Sequence, residues 1–365
     1  MNSSVLPRNT STSQRNYGLD ALKIVATIFI VFHHYQMATN ISFSNGFNYH
    51  GGEKFYYGYL VELFFIISGY LMCRHLPKIE NGLITLKDWY IKRASRLLPV
   101  VAVSVVVYEV LLWQHNHWCD YCTVCEGNKL DFWGSIITSL GLQCYGSFTY
   151  PRINMPLWYI SMLLFCYILI YLLTRISVYF KFHPSYSYIF MVLLGCFALN
   201  NQISVPYLEW YSSRSYICVF WGLLLGKYVK SHAIGKKTAC VCLLVILIYG
   251  YMLLNHYSLI ANSQQMLLIF VVYPAMVLLT ETNLSKKLFR HRFWGTWSQY
   301  SYNVYVWHWP MTLAMFGIMH FLNAEHYFEY RSTMYVLCLA TEFLGVISHY
   351  FIEKPLNGWI TKNIN

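Results

Sequence analysis

The chain has 365 residues, of which 57% are hydrophobic and 11% charged, and a formal net charge of +11. A soluble domain carries about 25% charged residues, so this balance excludes an ordinary soluble enzyme. Long apolar runs recur from end to end and indicate an all-α polytopic membrane protein. The surplus positive charge sits in short loops between those runs, which argues against nucleic acid as a partner and for a lipid bilayer.

Residues 1–16 are polar, rich in Ser, Thr and Asn, and show no cleavable signal peptide; a disordered tail is expected there. The membrane domain is expected over 17–356, with 357–365 as a cytoplasmic tail. The first apolar run, residues 17–40, carries polar residues that a bilayer normally excludes: Asp20, Lys23, Thr27, His33 and His34. Lys23 and His34 are eleven residues apart, about three turns plus 20°, and Asp20 and Thr27 fall on the same face. One stripe is therefore polar. It forms one wall of a buried site, or else Asp20 and Lys23 pair locally at the interface and the histidines bond to neighbouring helices.

The second run, YLVELFFIISGYLM, holds Glu62 as a buried-carboxylate candidate, and Ser68 and Gly69, which permit close helix packing. The basic connection 76–98 follows. Thr85 and Asp88 stand at capping-box spacing, and an amphipathic helix is expected until Pro99 opens the next span. Arg93 and Arg96, three residues apart, share a face and suit a single anion; a helix lying on anionic headgroups is the alternative. The loop 115–125, HNHWCDYCTVC, gathers His115, His117, Cys119, Cys122 and Cys125. A disulfide, a metal site and free thiols all remain open there, although no second ligand pair stands at zinc-finger spacing.

Ten spans are expected, near 20–40, 57–75, 98–114, 157–175, 186–202, 215–231, 239–256, 264–281, 297–319 and 333–352. Residues 131–146 are shorter and carry Gly, Ser and Thr. If they do not cross, all but five of the 26 Lys and Arg fall on the side of the termini, the exceptions being Lys54, Lys129, Arg152, Arg214 and Arg331. If they cross, the split is nearly even. The positive-inside rule therefore favours an interfacial or re-entrant 131–146 and cytoplasmic termini. Trp158 stands at the outer end of a span. In the ninth run Ser301, Tyr305, His308 and Thr312 form a polar stripe, and Pro310 frees a backbone carbonyl. The last run ends with His349 and Glu353 at the cytoplasmic edge.

Together these segments resemble the acyltransferase-3 family of integral membrane acyltransferases. GLDALKIVATIFIVFHH is similar to the family's first span, whose His follows a basic residue by eleven positions and so corresponds to His34 rather than His33. FFIISGYLM, KRASRLLP, MPLWYIS, SYNVYVWHWP and FIEKP resemble its later signatures, in family order, across residues 17–356. Lys23 stands where the family usually has Arg, keeping the charge but losing the bidentate fork. No hydrolase-like domain of the kind some relatives carry is expected after the membrane part.

The resemblance implies transfer of an acyl group, most often acetyl, from cytoplasmic acyl-CoA to a hydroxyl of an envelope glycan or lipid-linked sugar. It implies a bacterial inner-membrane location, with acyl-CoA as donor substrate and no bound cofactor or metal. His34 would be the general base or would briefly carry the acyl group, and Arg93 and Arg96, with Lys23, would hold the donor's phosphates. Tyr302, Tyr305 and His308 would line the pocket or stabilise an oxyanion, with Ser68 and Trp158 supporting them. Asp20 would pair with Lys23, and Glu353 with a basic residue of the cytoplasmic loops, a helix-end cap being the alternative for Glu353. The rival classes are a transporter using a buried His/Asp/Lys relay and a lipid-binding scaffold without chemistry.

Overall fold

The computed structural model describes residues 15–44, 48–50, 54–118, 130–144 and 153–364. They build helices α1 (Tyr17–Thr39), α2 (Leu60–Met72), α3 (Leu86–Trp118), α4 (Phe132–Ser139), α5 (Trp158–Tyr179), α6 (Pro184–Asn200), α7 (Trp210–Ser231) and α8 (Lys236–Asn255). Then come α9 (Tyr257–Thr280), α10 (Ser301–Phe321), α11 (Arg331–Ser348) and α12 (Lys354–Ile364). Short helical turns link several of them.

Seven helical stretches among the described residues are long and apolar enough to cross a membrane: Tyr17–Thr39, Tyr57–Glu80, Leu86–His115, Met155–Tyr179, Lys236–Asn255, Tyr257–Thr280 and Arg331–Ile360. The other three predicted spans are also helical. α6 is short at 17 residues, while α7 and α10 carry more polar residues, among them those that build the sites below. The doubtful segment 131–146 yields α4, whose 8 residues rise about 12 Å, too little to cross. Along α8, Leu243, Leu244, Leu247, Ile248 and Tyr251 face outward, a surface suited to lipid in an integral membrane protein.

One sequence expectation is corrected here. Pro99 does not open a span but lies inside the 33-residue α3, so the basic amphipathic segment and the span are one helix. Thr85 still caps its start: the Asp88 backbone N–H donates to Thr85 Oγ1, whose hydroxyl donates to the Asp88 carboxylate. Beyond the last apolar run the chain continues as α12, where Asn357 Oδ1 accepts from Ser95 Oγ at 3.5 Å. At the other end Asn16 caps α1 through the Leu19 N–H, and its amide donates to Thr280 and Glu281.

Proline also shapes two wide turns. The π-helical turns Leu268–Val272 and His349–Glu353 each end two residues ahead of a proline, Pro274 and Pro355. A proline lacks the N–H and crowds the carbonyl four residues back, so the preceding turn widens. In α10 the carbonyl that Pro310 leaves without a donor is that of Val306, and the buried amide of Asn154 donates to it at 3.3 Å.

α2 packs on α7, α7 on α6, and α10 lies against α1, α3 and α11. The α2–α7 approach depends on glycine. A Cβ at Gly69 would fall 1.9 Å from the Val219 carbonyl oxygen, and one at Gly222 2.1 Å from that of Ile66. Backbone atoms cannot step aside, so Gly69→Ala must push the helices apart. Gly69→Ala is expected to lower Tm in detergent by several degrees. Gly250→Ala, in open space on α8, is expected to leave Tm unchanged or raise it slightly. Equal Tm values for the two variants would contradict this packing.

Candidate active site

α1 and α10 bring His34 and His308 together inside the bundle, with ring centroids 4.7 Å apart. His308 is fully buried and its Nδ1–H donates to the Tyr305 carbonyl at 2.5 Å, leaving Nε2 as an acceptor. His34 Nδ1–H faces both the Ile30 carbonyl at 3.0 Å and His308 Nε2 at 3.2 Å. Both partners are acceptors, which fixes the proton on Nδ1 and leaves the His34 Nε2 lone pair without a hydrogen-bond partner among the described residues. The edge of Trp309 closes one side, at 5.6 Å between centroids. His33 is turned elsewhere: it is buried, and its Nδ1–H donates to the Tyr49 carbonyl at 2.7 Å, in the connection between α1 and α2.

At the other end of α1, Asp20 receives Arg15 Nε at 2.6 Å, Lys23 Nζ at 3.0 Å and Ser298 Oγ at 2.8 Å. Asp20 therefore does pair with Lys23. Both line a chamber of about 830 Å³ whose walls include Arg74, Arg96, Lys230, Lys286 and Arg290. These basic residues are distant in sequence, yet all belong to the side on which the charge count placed the loops. A second, narrower cleft of about 230 Å³ shares Lys23, Leu71, Arg74, Arg96, Ser298 and Gln299 with the chamber. It runs on between Phe64, Ile67, Ser68, Tyr159 and Leu163 to Tyr302 and Tyr305. The Tyr305 ring is 5.5 Å from that of His308. The cleft thus leads from the basic chamber to within one aromatic layer of the histidine pair.

The expected joint grip of Arg93 and Arg96 on one anion is not what the side chains do. Arg96 lines both the chamber and the cleft, whereas Arg93 lines neither. The Arg93 guanidinium lies 3.2 Å above the Trp89 ring, donates to the Trp89 carbonyl at 2.7 Å and contacts Met72 Sδ at 3.5 Å. Three-residue spacing gives two side chains a common face but does not set their rotamers, and Trp89, one turn back, captures the nearer guanidinium. Glu353 meets the other one: Arg96 Nε is 3.4 Å from its carboxylate. The other carboxylate oxygen accepts from Asn303 Nδ2 and His349 Nδ1, both at 2.7 Å. Asn303 Oδ1 in turn accepts from Ser348 Oγ, and Ser348 Oγ from Trp307 Nε1, both at 2.8 Å. Glu353 is thus the buried hub of a network between α10 and the π-turn, rather than a simple helix-end cap.

The remaining candidates divide by what their polar atoms touch. The Tyr302 hydroxyl donates to the Leu97 carbonyl at 2.5 Å and that of Tyr305 to the Pro156 carbonyl at 2.6 Å, so neither proton is free for an oxyanion. Ser68 Oγ and the Tyr159 hydroxyl face each other at 3.2 Å along the cleft. Sequence reasoning passed over Tyr159, although it sits inside the MPLWYIS segment. Trp158 lies apart from the histidines, 8% exposed, packed on Phe65 and Tyr211 and 5.1 Å from the Arg214 guanidinium. Its role is to cover an ion pair. Arg214 Nε and Nη2 donate to the two Glu62 oxygens at 2.7 and 2.9 Å, and Gln265 Nε2 adds a third bond at 2.7 Å.

Cys119, Cys122, Cys125 and the side chain of His117 lie outside the described residues. Among the described residues no group of three His, Cys, Asp or Glu side chains is placed to hold a metal ion.

A family model described as an acyltransferase domain matches residues 16–350. A Bacillus subtilis (strain 168) protein named "Putative peptidoglycan O-acetyltransferase YrhL" is 22% identical over 376 residues, covering 93% of this chain and 54% of that protein. Two Staphylococcus aureus proteins, from strains COL and N315 and each named "Putative O-acetyltransferase", are 37% identical over 93 residues, 25% of this chain and 13% of theirs. The chain therefore spans about half the length of the Bacillus relative, and a smaller part of the Staphylococcus ones is matched. No solved structure matches the chain.

Proposed function

Because the chain belongs to the acyltransferase-3 family, whose domain it fills from residue 16 to 350, we propose that it moves an acetyl group from cytoplasmic acyl-CoA to a hydroxyl of an envelope glycan or lipid-linked sugar. The donor would approach from the side of the termini, in a bacterial inner membrane. One observation carries this reading: a large basic chamber continues into a smaller, mostly apolar cleft that stops at Tyr305, one ring short of the His34–His308 pair. A polyanionic nucleotide with a thin thioester arm has that shape and charge. The name of the Bacillus relative makes peptidoglycan the first acceptor to try. The exporter alternative gains nothing from membership of an acyltransferase family.

In the proposed cycle the acyl end of the donor advances past the Tyr159–Tyr305 layer, a displacement of about one ring. His34 Nε2 takes the proton of the acceptor hydroxyl as its oxygen attacks the thioester carbonyl. The tetrahedral intermediate collapses with cleavage of the C–S bond, and the CoA thiolate leaves with the proton that His34 held. His308 Nε2 accepts the His34 Nδ1–H throughout and keeps the ring oriented. Ser68 and Tyr159 share one hydroxyl proton in the bond between them, and the other proton of the pair is the donor for the oxyanion. Arg96 leaves Glu353 for a donor phosphate, and Asn303 and His349 hold the carboxylate in place.

The test is transfer of radiolabel from acetyl-CoA to peptidoglycan fragments by the purified chain. Label on the glycan as an alkali-labile ester is the expected result; no transfer to any glycan would contradict the reading. In the same assay His308→Ala is expected to lower kcat about ten- to a hundredfold with little change in the acetyl-CoA KM, and His308→Gln, whose amide oxygen can accept the Nδ1–H, to recover part of it.

A further inference from the structure

The cations around the wide chamber fall into two groups. Arg15 and Lys23 share Asp20, Lys286 is 3.6 Å from Glu281, and Arg96 reaches Glu353. Arg74, Lys230 and Arg290 have no carboxylate partner among the described residues. Arg74 Nε contacts only His75 Nε2, at 3.3 Å, and Lys230 Nζ only the Cys73 carbonyl, at 3.3 Å. Arg290 makes no hydrogen bond or ion pair among the described residues, although it lines the same chamber. The three come from separate places: the end of the Tyr57–Glu80 stretch, the last turn of α7, and the link between helices Asn283–Leu288 and Phe293–Ser298.

Three like charges that line one chamber, none paired with a carboxylate among the described residues, repel one another unless an anion sits among them. A phosphomonoester, with a charge of about −1.5 to −2 and three acceptor oxygens, suits such a set better than a singly charged diester. We infer that Arg74, Lys230 and Arg290 receive the terminal phosphomonoester of the donor nucleotide. This rests on the acyl-CoA reading and extends it: it assigns the 3′-phosphate to residues outside the Arg93–Arg96 segment, and leaves Arg96, which like Arg74 lines both chamber and cleft but is paired with Glu353, for the diphosphate linking nucleotide and arm. The chain would then distinguish acyl-CoA from donors that lack the 3′-phosphate.

An anionic lipid headgroup offers related phosphate chemistry at a membrane surface, so the test must separate the two sources. The full chain in phosphatidylcholine nanodiscs would be titrated with adenosine 3′,5′-bisphosphate and with 5′-AMP. The bisphosphate is expected to bind at least about tenfold more tightly. In Arg74→Gln/Arg290→Gln the preference should fall below about threefold, while Lys287→Gln, next to Lys286 but outside the chamber lining, should retain it. Equal binding of the two nucleotides by the unaltered chain, or an undiminished preference in the double variant, overturns the inference. So does loss of bisphosphate binding when phosphatidylglycerol is added, which would assign the cluster to headgroups. Transfer from acetyl-CoA is measured separately: failure to transfer with the binding preference intact removes the catalytic reading and leaves the phosphate site.

Discussion

His34→Ala is expected to lower kcat for acetyl transfer by about 10²- to 10⁴-fold, the range a positioned general base contributes. That loss corresponds to roughly 3–5 kcal/mol of transition-state stabilisation. The acetyl-CoA KM should change little, because the chamber that holds the nucleotide is separated from His34 by the length of the cleft. His33→Ala provides the contrast. His33 bonds to the Tyr49 carbonyl and not to His308, so its removal should affect folding more than chemistry. Similar kcat values for the His34→Ala variant and the unaltered chain would remove His34 from the reaction.

The largest expected loss of stability lies elsewhere. Glu62 and Arg214 form a bidentate pair whose side chains are 1% and 3% exposed. Arg214→Met leaves the Glu62 carboxylate buried with only the Gln265 amide, and breaking such a pair from one side costs about 3–5 kcal/mol. Replacing both members removes the charge from each side, so Glu62→Met/Arg214→Met should be more stable than either single variant. Thermal unfolding in detergent reads this directly. A double variant less stable than both singles would show that the pair contributes more than its own neutralisation. Because α2, α7 and α9 all meet at this pair, its loss should also loosen the close α2–α7 contact at Gly69 and Gly222.

Much of this was legible in the sequence, because it depends on periodicity and local spacing. The polar stripe on the first span, the Asp20–Lys23 pair and the carbonyl freed by Pro310 all follow from positions along a single helix. The choice of His34 over His33 came from the family resemblance, and the two rings do face different partners. What stayed hidden depends on rotamers and on neighbours far away in the chain. Arg93 shares a helix face with Arg96 but is held by Trp89, a contact that spacing alone cannot rank against the chamber. Arg214 looked like one of five cations on the outer side, and only the fold sets it against Glu62, more than a hundred residues earlier. Pro99 read as a boundary because prolines favour first turns, yet packing carries α3 through it. The basic chamber was visible only as scattered loop charges, since Arg74, Lys230 and Arg290 meet by topology.

The central claim is that a thioester arriving from the side of the termini meets an alcohol from the opposite side at His34. Proteoliposomes with the chain in one orientation, loaded inside with radiolabelled acetyl-CoA and given glycan acceptor only outside, test it most directly when the termini face the lumen. The account predicts that label accumulates on the external glycan, and that His34→Ala vesicles leave it unlabelled. Label that appears only when donor and acceptor share a compartment, or that passes equally well through His34→Ala, would contradict it.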